Sequence, residues 1–164
     1  MPMKDALLPE FDHEMGTTRR LLERVPEDRM GWKPHQKSMT LGRLATHVAE
    51  IPHWAQTIIK DSVFDLKRDE FVPKTVASRA ELLKTFDDRA AAARALVAAA
   101  SDGELMATWT MKSGGQEVLS LPKAAVWRSF VMNHIIHHRG QLSVYLRENN
   151  VPIPSIYGPS ADEK

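Results

Sequence analysis

Three of the chain's seven histidines fall within five residues, in the stretch Asn133-His-Ile-Ile-His-His-Arg-Gly-Gln-Leu142. Each imidazole carries two polar nitrogens that need partners, so histidine is a poor filler for an apolar segment. His134 and His138 are four residues apart. On a helix they stand one turn apart on the same side, where two imidazoles can converge on one metal ion. On a wheel of about 100° per residue, Trp127, Phe130, Val131, Leu142 and Tyr145 form one face, and His134 and His138 lie within roughly 30° of its centre. His137 is displaced by about 90° and reads as peripheral. The competing reading of the pair is two core or rim histidines bonded to backbone or water.

A third donor would strengthen the metal reading, and His47 can supply it, although alone it also fits a satisfied core histidine. It follows Leu44 by three and precedes Ile51 by four, which puts it on the inward stripe of another helix. Three neutral imidazoles form a known catalytic ligand set that leaves positions open to water or substrate. A divalent ion so held can lower the pKa of water to around 7 and can deprotonate a thiol. The remaining candidates read as bystanders: His53 as surface or rim, His13 as solvated, His35 as a loop residue. Glu50 could accept from a ring N–H but reads as a solvated carboxylate. Arg139 has an outward angle and reads as a surface or subunit contact. Gly140 reads as a point of close helix approach. Gln141 and Tyr145 lie near the ligand face and could bond a ligand or a ligating ring; Tyr145 also fits a core position with its hydroxyl satisfied.

Four helical stretches would position these residues. The first runs from about Lys4 to Arg24, with Leu7, Leu8, Phe11, Met15, Leu21 and Leu22 at helical spacing and Pro26 as its stop. The second runs from Thr40 or Leu41 to about Lys60, bent by Pro52. The third starts at the capping-box pattern Ser78-Arg-Ala-Glu81 and stops before Ser101-Asp-Gly103. The last begins at Pro122 and reaches about Asn149. Residues 25–39 and 61–77 read as long connections, and residues 105–120 as a small hairpin turned by Gly114-Gly115 or a loop. Helices of about 20 residues suit a four-helix bundle. The expected fold is thus all-α, a single domain over residues 1–164 with an irregular tail at 151–164.

Composition removes several functions. Lys plus Arg is 22 against 21 for Asp plus Glu, which gives no electrostatic reason to expect nucleic acid or an anionic membrane. There is no cysteine, so any metal is held by nitrogen or oxygen and any thiol comes from outside. The longest apolar run is short and alanine-rich, far from the roughly 20 residues of a membrane span. The N-terminus lacks the apolar core of a signal peptide, and a cytoplasmic protein is expected.

Trp32-Lys-Pro34, Leu41-Gly-Arg-Leu-Ala-Thr-His47-Val-Ala-Glu50, the stretch Asn133–Leu142 running into Ser143-Val-Tyr-Leu-Arg147, and Tyr157-Gly-Pro-Ser160 resemble the DinB-like family, also called the DinB/YfiT superfamily. The resemblance implies an up-down-down-up four-helix bundle, often a homodimer, with a divalent metal, zinc or nickel, on three histidines. Carried over residue by residue, these are His47, His134 and His138. Related activities, bacillithiol S-transfer and mycothiol-dependent maleylpyruvate isomerisation, centre on low-molecular-weight thiols. A metal-dependent thiol S-transferase is therefore expected, with a metal-dependent hydrolase or a non-catalytic metal-binding stress-response module as the alternatives.

Overall fold

Thr40 and Ser78 set the starts of two helices by accepting the backbone N–H of the residue three positions on, Arg43 and Glu81. Glu81 reaches back to the amide of Ala77 at 2.9 Å. The structure, a computed structural model, describes residues 1–69 and 73–164. Its helices are α1 (Lys4–Leu22), α2 (Leu41–Glu50), α3 (Trp54–Lys60), α4 (Arg79–Ala99), α5 (Asp102–Met106), α6 (Lys123–Trp127) and α7 (His134–Glu148). A 3₁₀ turn at Ile51–His53 joins α2 to α3. It sits where Pro52 removes a helical hydrogen bond, and it is the bend expected there. Pro9 lies inside α1, past its first turn. α1 packs on α4 and α7, and α2 packs on α4 and α7. Leu21, Leu22, Leu44, Val48, Leu82, Val97, Trp127, Ile135, Leu142 and Leu146 are fully buried between them.

The expected all-α four-helix bundle in up-down-down-up order is corrected by three strands. β1 (Val63–Asp65), β2 (Thr108–Ser113) and β3 (Gln116–Pro122) form a mixed sheet in the order β1-β2-β3, so the protein is mostly helical but not all-α. β2 and β3 are the antiparallel hairpin that the Gly114-Gly115 pair suggested, and β1 runs parallel to β2, Val63 opposite Thr110. Gly114 and Gly115 both have positive φ, +61° and +84°, as a two-residue hairpin turn demands. β1 was missed because three residues are too few for alternation to show. The connection around it, of which residues 70–72 lie outside the described residues, is polar in sequence.

Asp65 fastens β1 to the hairpin. Its carboxylate accepts the backbone N–H groups of Gly114 at 2.9 Å, Gly115 at 2.8 Å and Lys67 at 3.0 Å. These donors, Lys67 foremost, pull its pKa down to about 2. A carboxylate with a folded-state pKa below the unfolded value stabilises the fold fully above about pH 4 and loses that contribution as pH falls towards 2. Denaturation midpoints followed from pH 5 to pH 2 should therefore fall more steeply for the wild type than for Asp65→Asn, whose stability should already be lower at pH 5. Parallel curves would remove Asp65 from this role.

The helix that carries the histidines is not uniform. Between α6 and α7, residues Arg128–Asn133 form a π-helical turn. A π turn is wider than an α turn and advances by less than 100° per residue, so everything beyond it is rotated back relative to an ideal wheel. The buried stripe of α7 is Ile135, Arg139, Leu142 and Leu146, not the stripe through His134, His138 and Tyr145. The face is turned by about 80° from its expected position on an ideal wheel. Arg139, expected at the surface, is instead 1% exposed. It pairs with Glu14 of α1 at 2.7 Å, and its Nη1 donates to the Thr18 hydroxyl at 3.2 Å. Its Nη2 donates to the Tyr157 hydroxyl at 2.6 Å. The irregular tail is thereby tied down, with further ion pairs from Arg24 to Glu163 and from Arg147 to Asp162.

Gly140 is also corrected: a Cβ there would meet nothing within 4 Å, so it permits no close approach. Gly42 does. A Cβ there would stand 3.0–3.1 Å from Met30, whose carbonyl accepts the Gly42 N–H at 2.9 Å. This contact seats the 25–40 connection against the start of α2.

Candidate metal centre

His47 comes from α2, flanked by buried Leu44, Val48 and Ile51; His134 and His138 come from the first turns of α7. All three rings are half-buried, and one nitrogen from each lies within 4.8 Å of the others. Nε2 of His47 stands 3.2 Å from Nε2 of His134. The ring centroids are 4.5 Å apart for His47 and His138 and 4.8 Å for His134 and His138. The π turn puts His134 and His138 at the edge of the buried stripe, where they meet His47 and remain open to one side.

Two carbonyl oxygens, one of the backbone and one of a side chain, lie where they can accept from Nδ1. His138 Nδ1 donates to Gln141 Oε1 at 2.7 Å, and His134 Nδ1 donates to the Phe130 carbonyl at 3.4 Å. A carbonyl oxygen can only accept, so Nε2 of both rings is left as a lone pair. A lone pair on His47 Nε2 at 3.2 Å from one on His134 would be repulsive unless a proton or cation lay between them. Burial, then the neighbouring charges of His138, His134 and Arg43, pushes the His47 pKa down to about 4. Burial is also the first cause of the lowered pKa of His134 and His138. Burial thus favours the neutral, metal-binding form of all three rings.

This donor set fits a divalent ion. Tetrahedral zinc at about 2.0–2.1 Å from each nitrogen sets neighbouring donors about 3.3 Å apart, close to the His47–His134 separation. Among the residues expected elsewhere, His137, His13 and His35 are exposed and outside the cluster. Glu50 is neither solvated nor bonded to a ring: it is 9% exposed and takes both terminal nitrogens of Arg43 at 3.1 Å. Tyr145 is half-buried, its hydroxyl donating to the Met39 carbonyl at 3.2 Å and its ring meeting the Trp32 edge.

Sequence reasoning missed the space beside the cluster. A cavity of about 370 Å³ is lined by His47 and His134 together with Ile51, His53, Trp54, Thr57, Phe64, Asp69, Glu50 and Arg89. The sheet builds part of its wall. Phe64 of β1 packs against Trp54 at 5.1 Å and stacks over buried Trp109 of β2 at 6.5 Å. Phe130 of the π turn closes the aromatic cluster against Trp54 and Trp109. No pairwise spacing in the sequence links these residues. His53, expected at the rim, does line the cavity, and burial and then the charge of Arg89 lower its pKa.

The DinB family model matches residues 1–164. The chain belongs to the DinB family. Among curated DinB relatives, it is 27% identical to YrdA of Bacillus subtilis (strain 168), covering 97% of this chain and 90% of that protein. It is 28% identical to YjoA of the same organism, covering 90% and 92%. Two solved structures share the fold: a DinB-like protein from Bacillus cereus ATCC 10987, with a TM-score of 0.74 at 17% identity over 95% of this chain and 98% of that one, and B. subtilis YjoA, with a TM-score of 0.69 at 21% identity over 91% and 96%. Among the described residues of this DinB-family chain, no helix is long and apolar enough to cross a membrane.

The bond from Gln141 has a measurable consequence. Partners that orient a ligating histidine are worth about 10- to 100-fold in metal affinity. Gln141→Ala is therefore expected to weaken zinc binding by about that factor, measured by competition with a chromogenic chelator, while Gln141→Glu, which keeps an acceptor, retains most of it. Unchanged affinity in Gln141→Ala would show that His138 needs no such partner.

Proposed function

We propose that this DinB-family chain is a divalent-metal-dependent transferase that activates a low-molecular-weight thiol for attack on an electrophilic small molecule. His47, His134 and His138 would hold the ion, zinc or nickel, as three neutral nitrogen donors. The observation that carries the reading is their convergence beside a cavity: nitrogens within 4.8 Å of one another, with His47 and His134 forming part of the cavity wall. A site that only braced the helices would not need one.

When bound, the ion supplies Lewis acidity that lowers the pKa of a thiol reaching it. The protein's own groups do the rest. Gln141 and the Phe130 carbonyl hold two rings with Nε2 forward. Trp54 and Phe64 give the cavity an apolar wall that excludes water from the electrophile. In the transfer the thiol gives up its proton and its sulfur bonds to the electrophilic carbon. The leaving group departs with its electron pair, or, in an addition, the substrate takes up a proton. The absence of cysteine matches a thiol brought from outside. This reading places the protein in the cytoplasm, where thiols are kept reduced, as a homodimer.

The test is metal content of untagged protein together with conjugation of small thiols to a model electrophile such as chlorodinitrobenzene. About one divalent ion per chain and thiol-dependent turnover that is lost on chelation are expected. Product formed equally well without thiol would instead establish a hydrolase, and a full metal complement with no turnover on a broad panel of thiols and electrophiles would establish a non-catalytic site.

A further inference from the structure

The cavity beside the three histidines has two unlike kinds of lining. One is aromatic and aliphatic, made by Trp54, Phe64 and Ile51. The other is polar, and its charges are not equivalent. The Glu50 carboxylate already accepts from both terminal nitrogens of Arg43. The Asp69 carboxylate already accepts two bonds from Arg68, at 2.9 and 2.7 Å, and the Asp65 N–H at 2.9 Å. Both acids thus bring their own cation. Arg89, on α4, is half-buried; among the described residues it reaches only the Glu50 backbone carbonyl, through Nη1 at 3.4 Å, and meets no carboxylate within salt-bridge distance. A guanidinium offers five donors in a planar fork that matches a carboxylate. One long bond to a carbonyl leaves most of that fork without a partner among the described residues, on a side chain that lines the cavity.

From this we infer that the cavity is a binding site for an apolar, flat monocarboxylate: its carboxylate lies on the Arg89 fork, its body lies against Trp54 and Phe64, and its far end reaches the histidine cluster. The volume of about 370 Å³ holds a molecule of roughly ten heavy atoms, in the usual range of small-ligand sites. The carboxylate belongs to the electrophile, not to the thiol, because the same cavity is lined by Trp54 and Phe64 and a small hydrophilic thiol would bury little against them. The inference rests on the transferase reading only in calling the occupant an electrophile.

Phenylacetate, its neutral counterpart phenylacetamide, and mercaptoacetate are titrated into metal-free protein while the Trp54 indole N–H is followed by NMR. Phenylacetate should bind the wild type more tightly than phenylacetamide. Arg89→Gln should weaken phenylacetate by about 10- to 100-fold, the range for a charge-assisted hydrogen-bond pair, and leave phenylacetamide unchanged. Arg89→Lys should fall between, since it keeps the charge but not the fork. Equal binding of phenylacetate and phenylacetamide to the wild type would overturn the inference without any variant. Undiminished phenylacetate binding in Arg89→Gln would do the same, as would a larger loss for mercaptoacetate than for phenylacetate. Because the protein is stripped of metal, none of these outcomes depends on the ion. Metal stoichiometry of the same preparations before stripping tests the metal reading separately.

Discussion

His47→Ala is expected to lower zinc affinity by roughly 100- to 1,000-fold, because one of three ligands carries about a third of a binding free energy on the order of 10 kcal/mol. The consequence for stability follows by mass action. At free zinc of about 100 times the wild-type Kd, the wild type gains about 2.7 kcal/mol, or roughly 5–10 °C in Tm for a chain of this size. At that same concentration the His47→Ala protein, with its Kd raised by a few hundred-fold, gains only about 0.2 kcal/mol and its Tm should not move measurably. His137→Ala is the control: it is exposed, adjacent to His138 in sequence, and outside the convergent set. It should bind and respond to zinc like the wild type. A His47→Ala protein with full metal content and an unchanged zinc-dependent Tm would remove the three-histidine site altogether. Equal losses in His47→Ala and His137→Ala would point to non-specific binding to surface imidazoles.

The second large effect belongs to Arg139. This guanidinium and Glu14 are buried to 2% and 7% side-chain exposure, 2.7 Å apart. The Tyr157 hydroxyl lies across both, donating to the Glu14 carboxylate at 2.9 Å and accepting from Arg139. Taking a charge out of water costs several kcal/mol, and the pair's attraction recovers it only while both partners are present. Arg139→Met is therefore expected to cost about 3–5 kcal/mol, because it leaves the Glu14 carboxylate buried without its counter-ion. That corresponds to a fall in Tm of roughly 6–20 °C. Combining Arg139→Met with Glu14→Gln should recover most of the loss, since no unpaired charge then remains. Tyr157→Phe, which removes one hydroxyl and leaves the pair, should cost only about 1–2 kcal/mol. Urea denaturation of metal-free protein measures all of these without interference from the adjacent His138. A loss below about 1 kcal/mol in Arg139→Met would show the pair to be solvated, as surface pairs are.

The two predictions concern neighbouring residues of one helix, and the π turn explains why one was legible in the sequence and the other was not. His134 and His138 stand out because two imidazoles at helical spacing are chemically conspicuous whatever face they occupy. His47 stands out because its own stripe, Leu44, Val48 and Ile51, lies before any irregularity in its helix. The spacing argument found all three residues although the wheel misjudged their depth. Arg139 had no such protection. Its reading depended on the angle alone, and a six-residue π turn shifts the angle of everything after it. Nothing in Arg128-Ser-Phe-Val-Met-Asn133 announces a π turn, because its hydrogen bonds follow from how the segment packs against Trp54 and Trp109 and not from the residues' own helix preferences.

The sequence by itself determined where the long helices start and stop, which three histidines could meet, and that the chain carries no thiol of its own. Those features are local: caps, prolines, periodicity and composition act within a few residues of where they are read. Tertiary structure alone decided the third strand β1, the buried Arg139–Glu14 pair and the cavity. β1 exists because Val63 finds Thr110 and because the Asp65 carboxylate finds the amides of Gly114 and Gly115. The cavity exists because α2, α3, α4, β1 and α7 each contribute side chains to it. Such contacts join residues far apart in the chain, and their free energy appears only once the intervening chain has been ordered, so no window of sequence contains them.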